Sequence, residues 1–149
     1  MNFQENETEV ARQLNNVREK LGFDSQPLSN ADQVKEHFFQ WYMREGPMND
    51  TYWMGLKVLK CPFDLWNYQE LIYNLTPDVI IETGTYLGGS ALFMANCMDH
   101  LDHGRIITVD IIKRSFPAHP RITYITGDST DPAVFESIKE MVKGKAVMV

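Results

Sequence analysis

Pro77-Asp78-Val79-Ile80-Ile81-Glu82-Thr83-Gly84-Thr85-Tyr86-Leu87-Gly88-Gly89-Ser90 is the stretch that decides how this 149-residue chain is read. A short apolar run ends in an acid, passes through a glycine loop and opens a helical pattern from Gly88 to Leu101, with Ala91, Leu92, Ala95 and Met98 inward. Gly84 lets the chain turn sharply at the strand's end. Gly88 and Gly89 permit close backbone approach at the helix N-terminus, where unbonded N–H groups face a ligand. In open α/β sheets the crevice at the carboxyl ends of the strands is where ligands bind.

Downstream, the same alternation continues. Arg105 to Ile111 is a second β-branched run ending near Asp110, and Ile122 to Thr126 is a third, followed by Gly127-Asp128-Ser129. Asp131 to Lys143 reads as a helix, N-capped by Thr130 or Asp131, and Ala146 to Val149 starts a fourth strand. Strands buried on both faces and joined by helices predict an α/β fold, the first half of a Rossmann-like sheet with about four parallel strands and right-handed crossovers.

Upstream of Thr76 the pattern is helical. Val10, Leu14, Val17 and Leu21 form one stripe before Gly22. A second helix follows Ser29 or Asn30, with Val34, Phe38, Trp41 and Tyr42 on one face and Gly46-Pro47 as its stop. A third has Pro62 near its start, Asp64 in the first turn, and Leu65, Tyr68, Ile72 and Leu75 inward. The expected organisation is a helical N-terminal cap segment over 1–76 and a partial sheet domain over 77–149. Because the chain stops inside an apolar run, it is expected to be a fragment whose open sheet edge is prone to self-association.

The net charge is −6 with no Lys/Arg block, which argues against a nucleic-acid partner. Cys61 and Cys97 have no zinc spacing, and no run approaches the ~20 apolar residues of a membrane span. The N-terminus lacks the basic start and apolar stretch of a signal peptide, so a reduced, cytoplasmic protein is expected.

The acid before the loop narrows the ligand. Glu82 would repel a pyrophosphate but suits the cationic methionine end of S-adenosylmethionine, directly or through water. The loop is E-x-G-x-x-x-G-G-S and not the dinucleotide pattern G-x-G-x-x-G, although a tight turn with no ligand is the alternative. Asp110, 22 positions after Gly88, is placed to accept hydrogen bonds from both ribose hydroxyls, which NAD and S-adenosylmethionine share. Asp128 either accepts the adenine amino group or makes an Asx turn into the next helix. Tyr86 is expected at the crevice, and Ser90 as a helix cap, since there is no G-x-S-x-G elbow. Lys57 and Lys60 either touch a cofactor carboxylate or anionic acceptor or are ordinary surface lysines. His100, His103 and His119 lack the jelly-roll strands of an iron oxygenase.

Trp53-Met54-Gly55-Leu56-Lys57, Lys60-Cys61-Pro62-Phe63-Asp64 and Tyr68-Gln69, followed by Pro77 to Gly84 and Gly88-Gly89-Ser90, resemble the cephalosporin hydroxylase/rhamnosyl O-methyltransferase family. Asp110 and Gly127-Asp128-Ser129 continue the resemblance, which covers roughly Tyr52 to Val149. The resemblance implies a class I S-adenosylmethionine-dependent methyltransferase that methylates an oxygen of a sugar, lipid-linked sugar or other small molecule with Mg²⁺ assistance. That family's metal ligands follow the fourth and fifth strands, beyond Val149, so no metal ligand or catalytic residue is assigned and Mg²⁺ is expected only in a full-length protein. The cofactor-binding residues expected are Glu82, Thr83, Gly84, Thr85, Tyr86, Gly88, Gly89, Ser90, Asp110, Ile111, Gly127, Asp128 and Ser129. The expected partners are the small-molecule acceptor and, through the sheet edge, other copies in a homo-oligomer. An NAD-dependent oxidoreductase and a non-catalytic nucleoside-binding or interaction module are the rival readings.

Overall fold

In the computed structural model, residues 30–149 other than Glu45 are described, together with Arg12. The helix expected over Val10 to Leu21 therefore lies outside the described residues. Two units are distinguished, Met1–Trp41 and Tyr42–Val149.

Helix α1 (Ala31–Arg44) begins and ends within a residue or two of its expected signals. Its inward face is a correction: Tyr42 is buried, whereas Val34, Phe38 and Trp41 are 45%, 40% and 47% exposed. An amphipathic stripe marks the apolar face of a helix but not how far along it a partner surface reaches. Tyr42 is buried because its hydroxyl bonds Thr51 Oγ1 at 2.8 Å and donates to the Lys60 carbonyl at 3.1 Å.

The second unit contains a hairpin absent from the sequence-based expectation. Strands β1 (Tyr52–Trp53) and β2 (Leu56–Lys57) pair antiparallel around Met54-Gly55, both at positive φ, the signature of a type I′ turn. Two-residue strands are too short to leave a period-2 pattern. Helix α2 (Pro62–Leu75) buries Leu65 and Ile72, but Leu75, expected inward, is 58% exposed. It is the last helical residue, before Thr76 caps the helix in the left-handed region and donates its N–H to the Ile72 carbonyl.

Strands β3 (Val79–Thr83), β4 (Arg105–Asp110), β5 (Ile122–Thr126) and β6 (Val147–Met148) form one parallel sheet in the order β5-β4-β3-β6. Helix α3 (Gly89–Leu101) joins β3 to β4, and α4 (Pro132–Met141), capped by the Asp131 carboxylate at Ala133 N–H, lies between β5 and β6. The order reverses direction at β3, which creates a switch-point crevice beside its carboxyl end.

Register builds the core in rows. Ile80 pairs with Ile106 and Met148, and Ile106 with Ile122, so an apolar row crosses all four strands. Helices α2 and α3 cover it with Leu65, Ile72, Ala91, Met94 and Met98. Trp53 joins from the hairpin, edge-on to Phe93 at 4.9 Å, with its indole N–H donated to Asn96 at 2.9 Å. Two residues further along each strand, on the same face, the row becomes Glu82–Thr108–Tyr124. One face of the sheet thus changes from apolar to polar toward its carboxyl end.

Candidate functional site in the crevice at the strand ends

Glu82 is 9% exposed, and both of its oxygens are bonded. Ser90 Oγ donates to Oε1, and Thr108 Oγ1 donates to Oε2 at 2.7 Å. Since the Thr108 hydroxyl proton is committed to Glu82, Thr85 is the donor in the 2.7 Å Thr85–Thr108 contact. Burial pushes the Glu82 carboxyl up, opposed by the Ser90 and Thr108 hydroxyls and the Lys60 charge. Tyr124 is pushed up as well, first by burial and then by the nearby Glu82 charge. Ser90 is therefore not the helix cap expected from its position. The N-cap is Gly88, without a side-chain bond, and Ser90 instead fastens the first turn of α3 to the end of β3.

Asp110 ends β4 and latches two loops. Its Oδ2 accepts the Tyr86 backbone N–H and its Oδ1 the Ile112 N–H, each at 2.8 Å. These two bonds, Ile112 first, hold the carboxyl below the usual aspartate range, helped by Arg114 at 3.4 Å. Arg114 also lies over the Tyr86 ring, 5.7 Å from its centroid. Arg114 left no sequence signal, because an i,i+4 spacing carries meaning on a helix and not in a loop. Thr108 could have been found: it stands two positions before Asp110, on the same face of the strand.

The glycines divide by what they approach. At Gly89 an added Cβ would lie 2.3 Å from the Lys57 carbonyl oxygen, so its close approach is to the hairpin. At Gly88 it would meet the Phe116 ring at 3.3 Å, and Phe116 itself stacks on Tyr124 at 4.5 Å. Only Gly84 of the loop, at φ +86°, has open space where a side chain would stand.

That space belongs to a cleft of about 130 Å³ lined by Gly84, Val109, Asp110, Ile111, Gly127 and Ser129. A second cleft of about 180 Å³ lies on the β6 side of β3, where Glu82 and Thr83 meet Lys60, Tyr68, Met148 and Val149. Of the predicted residues, five line the first cleft and two the second. Thr85, Gly88, Gly89 and Ser90 support the loop from beneath, and Tyr86 stands at its surface, 36% exposed. Asp128 makes an Asx turn, its Oδ1 accepting the Thr130 N–H at 2.8 Å and the Thr130 hydroxyl at 2.7 Å. These bonds hold its carboxyl below the ordinary value. Among the described residues no three His, Cys, Asp or Glu side chains come together as a metal site, and no helix is long and apolar enough to cross a membrane.

Comparison with known proteins points the same way. A family model, Rhamnosyl O-methyltransferase/CmcI, matches residues 45–149. The rhamnosyl O-methyltransferase of Mycobacterium leprae (strain TN) is 41% identical over 114 residues, which cover 74% of this chain and 50% of that protein. Its counterpart in Mycobacterium tuberculosis (strain ATCC 25618 / H37Rv) is 34% identical over 116 residues, 74% of this chain and 47% of that protein. The chain thus spans about half the length of the curated relatives it matches. A solved CmcI structure described as Mg-SAM superposes with a TM-score of 0.54 at 29% identity, over 59% of this chain and 40% of that one. An apo CmcI structure, at TM-score 0.55 and 24% identity over 66% and 42%, shares the fold. The α/β sheet, its crevice and these matches agree: the chain belongs to the rhamnosyl O-methyltransferase/CmcI family.

Proposed function

We propose that this chain is the S-adenosylmethionine-binding half of an O-methyltransferase. The observation that carries the proposal is the buried Glu82 carboxylate behind the glycine loop. A second carboxylate, Asp110, is latched to the same loop at Tyr86. The Glu82 anion behind the loop disfavours a diphosphate and favours a nucleoside that carries a cationic group.

Asp110 Oδ1 accepts only the Ile112 N–H and keeps a lone pair for a ribose hydroxyl, whereas Oδ2 accepts both the Tyr86 N–H and the 3.4 Å Arg114 contact, the looser of the two and the one a second hydroxyl would displace. Ile111, 70% exposed beside it, offers an apolar surface to a purine ring, with Gly127 and Ser129 along its border and Asp128 between them in its Asx turn. Glu82 and Thr83 face the methionine end, and Thr85, Gly88, Gly89 and Ser90 hold the loop in place from beneath. When bound, S-adenosylmethionine would supply an electrophilic methyl group on its sulfonium sulfur for transfer to an acceptor oxygen. The residues of this chain orient the donor; the Thr85–Thr108–Glu82–Ser90 hydrogen bonds fix the loop so that no reorganisation is needed on binding.

The acceptor is assigned as a hydroxyl of a sugar or lipid-linked sugar, on the strength of the rhamnosyl O-methyltransferase relatives. Among the described residues no side chains form a divalent-cation shell, so Mg²⁺ belongs to the proposal only for a protein longer than this chain. A cytoplasmic location completes it. Titration calorimetry with S-adenosylhomocysteine and with NAD tests the proposal. Binding of S-adenosylhomocysteine without NAD is expected; the reverse makes the chain an NAD-binding domain. Binding of neither, with an oligomer indifferent to Glu82→Ala and Asp110→Ala, makes it an interaction module.

A further inference from the structure

Lys57 and Lys60 stand alike in the sequence as candidates for a carboxylate contact, and the fold separates them. Lys57 is on the hairpin, with its ammonium 5.9 Å from the Tyr52 ring centroid. Lys60 instead lines the 180 Å³ cleft beside Glu82 and Thr83. Its backbone is pinned on both sides. The buried Tyr42 donates its hydroxyl to the Lys60 carbonyl at 3.1 Å, and Cys61-Pro62 begins α2 at the next residue. The side chain runs toward the Tyr68 ring, with Nζ 5.3 Å from the centroid. The aromatic face attracts the ammonium without using up its N–H donors.

The two clefts lie on either side of β3's carboxyl end, with Thr83 in one and Gly84 in the other. A ligand whose nucleoside occupies the Gly84–Asp110 cleft reaches the second cleft by crossing this single peptide step. There it meets one cation, Lys60, and one anion, Glu82, the pair of charges that matches a zwitterionic amino-acid end. We propose that Lys60 is the anchor for the α-carboxylate of the cofactor's amino-acid end, in the cleft it shares with Glu82 and Thr83. The assignment rests on the methyltransferase reading above. It also makes the site selective for a nucleoside bearing an amino-acid tail over the bare nucleoside.

The test compares two ligands on the full chain and on Lys60→Met and Lys60→Arg. S-adenosylhomocysteine carries the carboxylate, whereas 5′-methylthioadenosine keeps the nucleoside and sulfur but lacks it. Lys60→Met should weaken S-adenosylhomocysteine about 10- to 100-fold, the range for a lost hydrogen bond to a charged group, and leave methylthioadenosine within about twofold. Lys60→Arg should retain most of the affinity for both. Equal weakening of both ligands means that Lys60 only neutralises Glu82 and steadies the loop, which overturns the assignment. No change in either ligand overturns it too, as does selective loss of an anionic sugar acceptor with S-adenosylhomocysteine unaffected. Failure of the unsubstituted chain to bind either nucleoside removes the methyltransferase reading and this inference together. Unaltered methylthioadenosine binding doubles as the check that Lys60→Met has folded.

Discussion

The two ends of the sheet use acidic residues in opposite ways. At the amino end, acids meet arginine and histidine side chains. Arg121 donates to Asp99 at 2.8 Å, to Asp102 at 2.8 Å and to the Gly104 carbonyl at 3.0 Å, clamping the end of α3 to the start of β5. His119, whose Nδ1 accepts the Arg121 backbone N–H, turns Nε2 to Asp99 at 3.1 Å, and His103 faces Asp78 at 3.3 Å. At the carboxyl end, Glu82 and Asp110 accept hydroxyls and backbone N–H groups. The Arg114 contact is the loosest of those at Asp110, at 3.4 Å. An acid saturated by a guanidinium ties elements together and has little left for a ligand. Glu82, held by one neutral hydroxyl at each oxygen, keeps lone pairs available, as does Asp110 at Oδ1, and that is the end where a site can form.

The largest effects should come from the glycines that let each end close. Gly89→Ala would bring a methyl group against the Lys57 carbonyl, and Gly104→Ala would place one 2.6 Å from the Pro77 carbonyl at positive φ. Each should destabilise by about 1–3 kcal/mol or more in urea unfolding. Gly84→Ala meets nothing and should cost only the left-handed strain, about 1–2 kcal/mol, while removing nucleoside binding. A Gly89→Ala protein as stable as the parent would break the idea that the hairpin closes on α3.

A paired substitution sharpens the contrast. Asp110→Ala should weaken S-adenosylhomocysteine by about 1–3 kcal/mol in calorimetry, through lost ribose bonds and a loosened Tyr86 loop. Arg121→Ala should lower the thermal midpoint and leave that affinity unchanged. Equal losses of affinity would mean that the two ends are not separable.

The smallest effect concerns pH. Asp110 has a depressed folded pKa, so its contribution is present above the ordinary aspartate range and lost as pH falls through the folded value. Glu82 has a raised one, so its contribution is present below its ordinary range and lost as pH rises through the folded value. Urea midpoints followed from acid to neutral pH should show Glu82→Gln flattening the loss on the rising side and Asp110→Asn the loss on the falling side. Identical profiles for the two variants would contradict the opposite environments described for them.

Much of this was legible in the residues themselves. The runs at Val79, Arg105 and Ile122 and the stripes of α2 and α3 came from periodicity, because burial against a flat sheet imposes it. The glycine loop and Asp110 were legible because a backbone turn and a strand end restrict residue type at fixed spacing. The β1–β2 hairpin, the buried face of α1 and the Ser90–Glu82 bond were not. The hairpin's two-residue strands leave no period-2 pattern, and the other two depend on which surface or side chain the fold brings alongside.

The amino-acid sequence by itself determined the order of the four parallel strands with their helices and the glycine turn, since these follow from local periodicity and residue type, while its motifs carried the family resemblance. Only the tertiary structure decided that Gly89 serves the hairpin, that Ser90, Thr85 and Thr108 serve Glu82, and that Lys60 shares a cleft with that acid. Those outcomes are set by strand register and by contacts across dozens of residues, where burial and hydrogen-bond geometry choose among side chains that composition leaves equivalent.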